Sequence, residues 1–271
     1  MFAKLNHLAI VSEKFALAAR FYEAVFGMKM ARGARAEGAA VIGDGYVGMN
    51  INPRVPGRGA RLEHFGFEVK DAKKALDRLG RYPEVQWLKR PSNRPFAGIS
   101  AHDPDGNVFD ISQEQMENRA DVYVEQAGDQ IHPRHISHFG LRTMRPELVA
   151  EFYRHVFELE PRNKQPGDPN HYLTDGHMTM IVMPWRIADY DATGIMPPSL
   201  DHMGFKTENL AQFKEDAARV AARNPYLAPF SVDYGPEMRA RKALFEKSCP
   251  YCQHHLADID GVLLGVSDVA P

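Results

Sequence analysis

The run Leu5 to Val11 is short and largely apolar, and it predicts a β-strand. The period then lengthens. Ala18, Phe21, Tyr22 and Val25 fall at i, i+3, i+4 and i+7, the buried stripe of a helix, with Ser12 placed to cap it. Ala39 to Ile42 and Tyr46 to Ile51 flank Gly43-Asp44-Gly45, a tight hairpin signal. The same order returns 131 residues on, without a gap, from His7–Pro53 onto His138–Pro184. His7 meets His138, Phe21-Tyr22 meets Phe152-Tyr153, and Asp44-Gly45 meets Asp175-Gly176. In the second copy Val149, Phe152, Tyr153 and Val156 form the stripe, and Pro146 suits the helix start.

A looser repeat follows. Glu63-His64-Phe65-Gly66-Phe67 resembles Asp201-His202-Met203-Gly204-Phe205, and each precedes a helix, Asp71 to Leu79 or Leu210 to Val220. Each copy closes on an Asp-x-Asp-Gly turn, at Asp103 or Asp258, and a last strand. The expected organisation is α+β, with one domain over 1–130 and another over 131–271. Each is strand-helix-strands twice over, with two helices. The polar stretch from about Gln113 to Pro133 reads as the linker.

Length and charge narrow the function. A chain of 271 residues suffices for two domains with cores of their own. Its 33 basic and 35 acidic side chains leave a net charge of -2, which argues against nucleic acid or a membrane surface as partner. No apolar run approaches a membrane span, and the N-terminus enters a strand at once. Cys249 and Cys252 are the only cysteines, too few for a disulfide-stapled secreted domain. A cytoplasmic protein acting on a small molecule is expected, with a homodimer left open.

A His in the first strand, Phe-Tyr in the first helix, His-x-Gly-Phe opening the fifth strand and Asp-Pro-Asp-Gly-Asn before the last together resemble the vicinal-oxygen-chelate superfamily. It includes glyoxalase I, fosfomycin-resistance proteins, bleomycin-binding proteins and extradiol dioxygenases. The resemblance covers nearly the whole chain, twice. It implies paired βαβββ modules forming a curved mixed sheet around a cleft, with His7, His64 and Asp110 as metal ligands. Asp110 departs from the family's usual Glu.

Strand parity gives an independent check, because successive side chains face opposite sides. His64 opposes Phe65 and Phe67, Asp110 opposes Phe109 and Ile111, and His7 opposes Leu8 and Ile10. Two imidazoles and a carboxylate leave open positions on an ion, which suits Fe(II) or Mn(II), one per chain. The plainer alternative is three unrelated polar residues at strand ends.

In the second copy Gly265 stands in the place of Asp110, and Asp268 has the wrong parity. His138 and His202 alone are expected to hold no ion. Cys249-Pro250-Tyr251-Cys252-Gln253-His254-His255 reads as a loop ahead of an independent zinc, iron or redox site, although His254 or His255 is close enough in sequence to reach the cleft.

The resemblance places the isomerase's fourth ligand at Asn50, and at Ile181 in the second copy. An amide is a poor substitute for a carboxylate. Two tandem domains with one site kept point instead to a metal-dependent oxidoreductase like the extradiol dioxygenases, acting on a catechol-like substrate. A glyoxalase-type isomerase or lyase and a metal-free binding protein are the alternatives. The dioxygenases carry a Tyr about ten residues before the carboxylate; Ser100 stands there, and His102 is the nearest acid/base candidate, or else a turn residue before Asp103-Pro104. Arg90, Arg94 and Phe96 are candidates to meet an anionic aromatic ligand, or else a solvated loop.

Overall fold

The computed structural model describes residues 2–31, 39–90, 98–114, 132–193 and 195–269. Arg94, Phe96 and most of the expected linker lie outside them.

The first half runs β1 (Ala3–Ser12), α1 (Phe15–Phe26), β2 (Lys29–Met30), β3 (Ala40–Gly43), β4 (Gly48–Pro53), β5 (Arg61–Val69), α2 (Ala72–Leu79), β6 (Trp87–Lys89), β7 (Ile99–His102) and β8 (Val108–Gln113). The second half opens in the same way. It runs β9 (His135–Thr143), α3 (Pro146–Phe157), β10 (Glu160–Pro161), β11 (His171–Thr174), β12 (Thr179–Pro184) and α4 (Ile187–Thr193). It continues with β13 (Ser199–Lys206), α5 (Leu210–Arg223), a 3-10 turn (Pro225–Leu227), α6 (Gly235–Ser248), β14 (His254–Ala257) and β15 (Leu263–Ser267).

These strands make two mixed, curved, open sheets, ordered β2-β3-β4-β1-β5-β8-β7-β6 and β10-β11-β12-β9-β13-β15-β14. Hairpins give the antiparallel pairs, such as β3 with β4, and helical crossovers give the parallel ones, such as β5 with β8. The α+β class read from the sequence therefore holds.

Two details differ from the sequence reading. Helix α1 begins at Phe15 with Lys14 at its N-cap and no side-chain cap. Ser12 instead accepts a hydrogen bond from the Lys14 amide at 2.9 Å and donates to Asp260. The second half also carries α4 and α6, beyond the two helices expected. Phe245 is the only buried residue on α6, so no apolar stripe announced it.

Packing groups the chain into two compact units, and each draws on both halves. The first takes its described residues from within 1–7, 64–120 and 138–201, and the second from within 8–63, 121–137 and 202–271. In the first, Phe67 of β5 stacks on Phe157 of α3 at 3.8 Å, with Phe65, Phe109 and Tyr153 around them. In the second, Phe26 of α1 stacks on Phe205 of β13 at 3.8 Å, beside Phe213 of α5 at 5.3 Å. All these rings are buried, and such aromatic contacts contribute about 0.5–1.5 kcal/mol each beyond area.

Buried hydrogen bonds repeat the pattern in each unit. Tyr153 donates to Asp103 at 3.0 Å, and Thr143 donates to Asp105. Tyr22 donates to Asp258 at 2.8 Å, and Ser12 donates to Asp260. The Asp-x-Asp-Gly turn of each half thus accepts hydroxyls from the other half's first strand and helix. Burial raises the pKa of Asp103 and Asp258 against the pull of these bonds.

In the second unit Arg134 donates to Glu208 at 2.8 Å, to Asp216, and to the Val25 carbonyl at 3.1 Å. The bond from Arg134 chiefly holds Glu208 at about 2, below its ordinary carboxylate range. A depressed pKa stabilises the fold above the unfolded value and is lost as pH falls through the folded one. Unfolding by urea, followed from about pH 6 down to about pH 2, should therefore show the wild type's advantage over Arg134→Met shrinking as first the unfolded and then the folded chain takes up a proton at Glu208. Parallel curves would leave the pair without a pH-linked role. Glu208 is 42% exposed, so solvent screening keeps the effect small.

Candidate metal centre

His7 lies on β1, His64 on β5 and Asp110 on β8, three successive neighbours in the first sheet. Alternation along each strand turns Leu8, Phe65, Phe109 and Ile111 into the core, all fully buried. The three polar side chains take the opposite parity and meet, with ligand atoms all within 4.8 Å of one another. His64 Nε2 lies 3.4 Å from Asp110 Oδ2, and His7 Nε2 lies 3.9 Å from it. Donors each about 2.1 Å from one ion stand roughly 3 to 3.5 Å apart, so a small closure completes the site.

The surroundings orient the ligands. His7 Nδ1 donates to Asn6 Oδ1 at 2.9 Å, which puts the proton on Nδ1 and keeps the Nε2 lone pair for an ion. Asn6 Nδ2 donates to Ser112 Oγ at 3.2 Å, and Ser112 donates to the Phe67 carbonyl at 3.3 Å. Ser100 pairs directly with Asp110 across β7 and β8 and donates to its Oδ1. Gly66, beside Asp110 in register, leaves room for the His7 ring: a Cβ there would lie 2.0 Å from His7 Cε1.

Asp110 is 2% exposed, and burial alone would raise its pKa. The hydrogen bond and charge of His64, the charge of His7 and the Ser100 hydroxyl overcome burial and hold it at about 2. A carboxylate ionised throughout the physiological range and an imidazole protonated on Nδ1 are the forms that bind metal. The residues present fit a divalent ion. Arg90 reaches the same carboxylate, its Nη2 3.8 Å from Oδ1.

His102 stands apart from this group. Its Nε2 accepts from the Gln86 amide at 3.0 Å and its Nδ1 donates to the Asp103 carbonyl at 2.7 Å. The ring ties the β6 edge to the closing turn and has no nitrogen left for proton transfer, the role expected from the sequence. His102→Ala should cost about 1 kcal/mol in chemical denaturation while metal content stays at the wild-type level. Loss of the ion in that variant would restore His102 to the site. Asn50 is buried on β4, and its Oδ1 has no hydrogen-bond partner among the described residues.

Asn6, Gly66, Ser100 and Arg90 as neighbours of the ligands were missed or only half seen in the sequence. The signal for Ser100 was present: a hairpin closing on Asp103–Asn107 must place it opposite Asp110. The second copy also differs from expectation. His138, His202, Cys249 and Cys252 form another group with ligand atoms within 4.8 Å, although the cysteines read as loop.

Residues 4–111 match the family model described as Glyoxalase/Bleomycin resistance protein/Dioxygenase superfamily. No curated protein matches the sequence. Among solved structures, the Mn(II)-bound glyoxalase from Novosphingobium aromaticivorans is 14% identical, with a TM-score of 0.65 over 98% of this chain and 81% of that one. The 2,3-dioxygenase LapB from Pseudomonas sp. KL28 is 15% identical, with a TM-score of 0.64 over 99% of this chain and 93% of that one. A xylose isomerase-like TIM barrel/4-hydroxyphenylpyruvate dioxygenase fusion protein is 14% identical, with a TM-score of 0.59 over 98% of this chain. The present chain spans 48% of that fusion protein's length. At these identities the likeness is one of fold. Among the described residues no helix is long and apolar enough to cross a membrane.

Proposed function

We propose that this chain, whose residues 4–111 belong to the Glyoxalase/Bleomycin resistance protein/Dioxygenase superfamily, is a metal-dependent oxidoreductase that opens the ring of a small catechol-like substrate with dioxygen. The observation that carries this reading is the meeting of three donors, His7, His64 and Asp110; a divalent ion held by three protein ligands would keep positions open for substrate. Fe(II) or Mn(II) suits such a set of two nitrogens and one oxygen. When bound, the ion supplies Lewis acidity and a template for two vicinal oxygens.

The chain's own side chains do the positioning. Ser100 occupies Asp110 Oδ1 and so biases Oδ2 toward the histidines. Asn6 fixes the His7 ring and its tautomer. Arg90, 24% exposed, supplies a cation beside the site, suited to an anionic oxygen or carboxylate on the substrate. Entry of both atoms of dioxygen into the product balances the reaction without an external reductant. The absence of a carboxylate at Asn50 counts against the isomerase, which uses a fourth anionic ligand.

The test is oxygen uptake by protein reconstituted anaerobically with Fe(II), over a panel of catechols and hydroquinones, beside a glutathione-hemithioacetal assay. Uptake of one dioxygen per substrate, lost in His64→Ala, is expected. Turnover of the hemithioacetal alone, with Ni(II) or Zn(II), would hand the site to an isomerase. Tight binding of an aromatic ligand to metal-free protein, with silence in both assays, would make the chain a binding protein.

A further inference from the structure

The second copy has lost its carboxylate ligand, and the structure shows what took its place. In the first sheet Gly66 of β5 pairs with Asp110 of β8; in the second, Gly204 of β13 pairs with Gly265 of β15. Register therefore confirms Gly265 as the counterpart of Asp110. A Cβ built on Gly265 would lie 2.0 Å from Cys252 Sγ and 3.0 Å from Cys252 Cβ. The thiol fills the space into which a carboxylate side chain would grow. Loss of the acid and arrival of the cysteine are one exchange.

Helix α6 completes the exchange. It has no counterpart among the described elements of the first half, and it ends at Ser248. The Cys249 amide continues its last turn, donating to the Phe245 carbonyl at 2.9 Å. This carries Cys249 Sγ to 3.2 Å from Cys252 Sγ, and neither cysteine is in a disulfide. The loop is pinned to β15 as well: the Gln253 amide donates to the Val266 carbonyl at 3.1 Å, and Gln253 Oε1 accepts from Ser267 Oγ at 3.0 Å. A ring nitrogen of His202 joins the two sulfurs, all within 4.8 Å of one another.

We propose that His202, Cys249 and Cys252 hold a zinc ion that secures helix α6 to the second sheet. The donor set argues for that metal. Two thiolates and an imidazole are soft donors of the kind that select zinc. The first copy's two nitrogens and one oxygen form a harder set by comparison. Burial supports the assignment too. His202 and Cys249 are each at most 1% exposed, and two thiolates beside a dication leave no net charge. The ion ties α6 and its loop to the sheet, an anchorage that the one buried residue of α6, Phe245, does not supply.

This inference stands apart from the catalytic reading, and its test needs no turnover. Full-length protein, purified without a tag under reducing conditions from zinc-containing medium, should carry about one zinc per chain. C249S and C252A should lose it, and His64→Ala should keep it. Co(II) exchanged for zinc should give the intense visible bands of tetrahedral cobalt together with near-ultraviolet thiolate charge transfer. Should C249S fail to fold, titration of the wild type with a mercurial decides: zinc is released in step with modification of the cysteine pair. Zinc content unchanged in C252A, or a cobalt spectrum without thiolate bands, would overturn the proposal. So would a metal-free protein whose mass shows a Cys249–Cys252 disulfide, which would make the pair a redox element.

Discussion

Asp110→Asn should emerge from purification folded but without its first-site ion, and turnover of the Fe(II)-reconstituted enzyme should fall by on the order of 10³-fold. The substitution keeps the size of the side chain and removes its charge. His64 and His7 then face a neutral amide in place of the ionised carboxylate that now lies 3.4 and 3.9 Å from their Nε2 atoms. Two imidazoles without an anionic partner bind a hard divalent ion weakly. The second-copy donors share no residue with this set, so zinc there should be unaffected. Metal analysis with circular dichroism separates the outcomes. Full metal content and full activity in the variant would remove Asp110 from the site.

Gly66→Ala carries the second large effect. Its new methyl would fall 2.0 Å from His7 Cε1, 2.5 Å from Nδ1 and 2.8 Å from Nε2, distances that real Cβ atoms do not tolerate. The His7 ring is 1% exposed and bound to Asn6, so it has nowhere to yield without giving up that bond. Overpacking of this kind costs typically 1–3 kcal/mol. Because the displaced group is one of the three donors of the proposed site, metal affinity should drop along with stability. Urea unfolding beside a metal-binding isotherm measures both. A loss of stability with metal affinity intact would mean that the strand shifts as a body and carries the ring with it.

Much of this was legible in the chain. The stripe Ala18, Phe21, Tyr22, Val25 is fully buried, and its counterpart on α3 likewise, because helical periodicity reports which face a helix hides. Parity set His7, His64 and Asp110 on one face for the same reason, and there they do meet, since alternation survives whatever the sheet packs against. What parity cannot report is distance along a loop. His102 shares a face with Asp110, yet backbone groups of its own turn claim both its nitrogens. Cys249 and Cys252 read as loop and do lie between α6 and β14, but their grouping with His202 depends on a helix with one buried residue. Arg90 was singled out as a candidate for an anionic ligand, but its approach to Asp110 was not, because a long side chain just past a strand end reaches in directions that spacing does not encode.

The reciprocal hydroxyl-to-carboxylate bonds, Tyr153 to Asp103 and Tyr22 to Asp258, have a meaning for the history and handling of the molecule. A duplicated module is often pictured as two beads, each complete. Here each compact unit is stitched from segments of both repeats, so a cut in the middle of the chain would leave two half-built cores. The bonds that join each Asp-x-Asp-Gly turn to the other repeat span many residues, so completing either core waits on both repeats. The two copies are then free to differ in chemistry, one gathering two imidazoles and a carboxylate and the other bringing thiols beside an imidazole. They are not free to drift apart in space, because each holds the complementary half of the other's core.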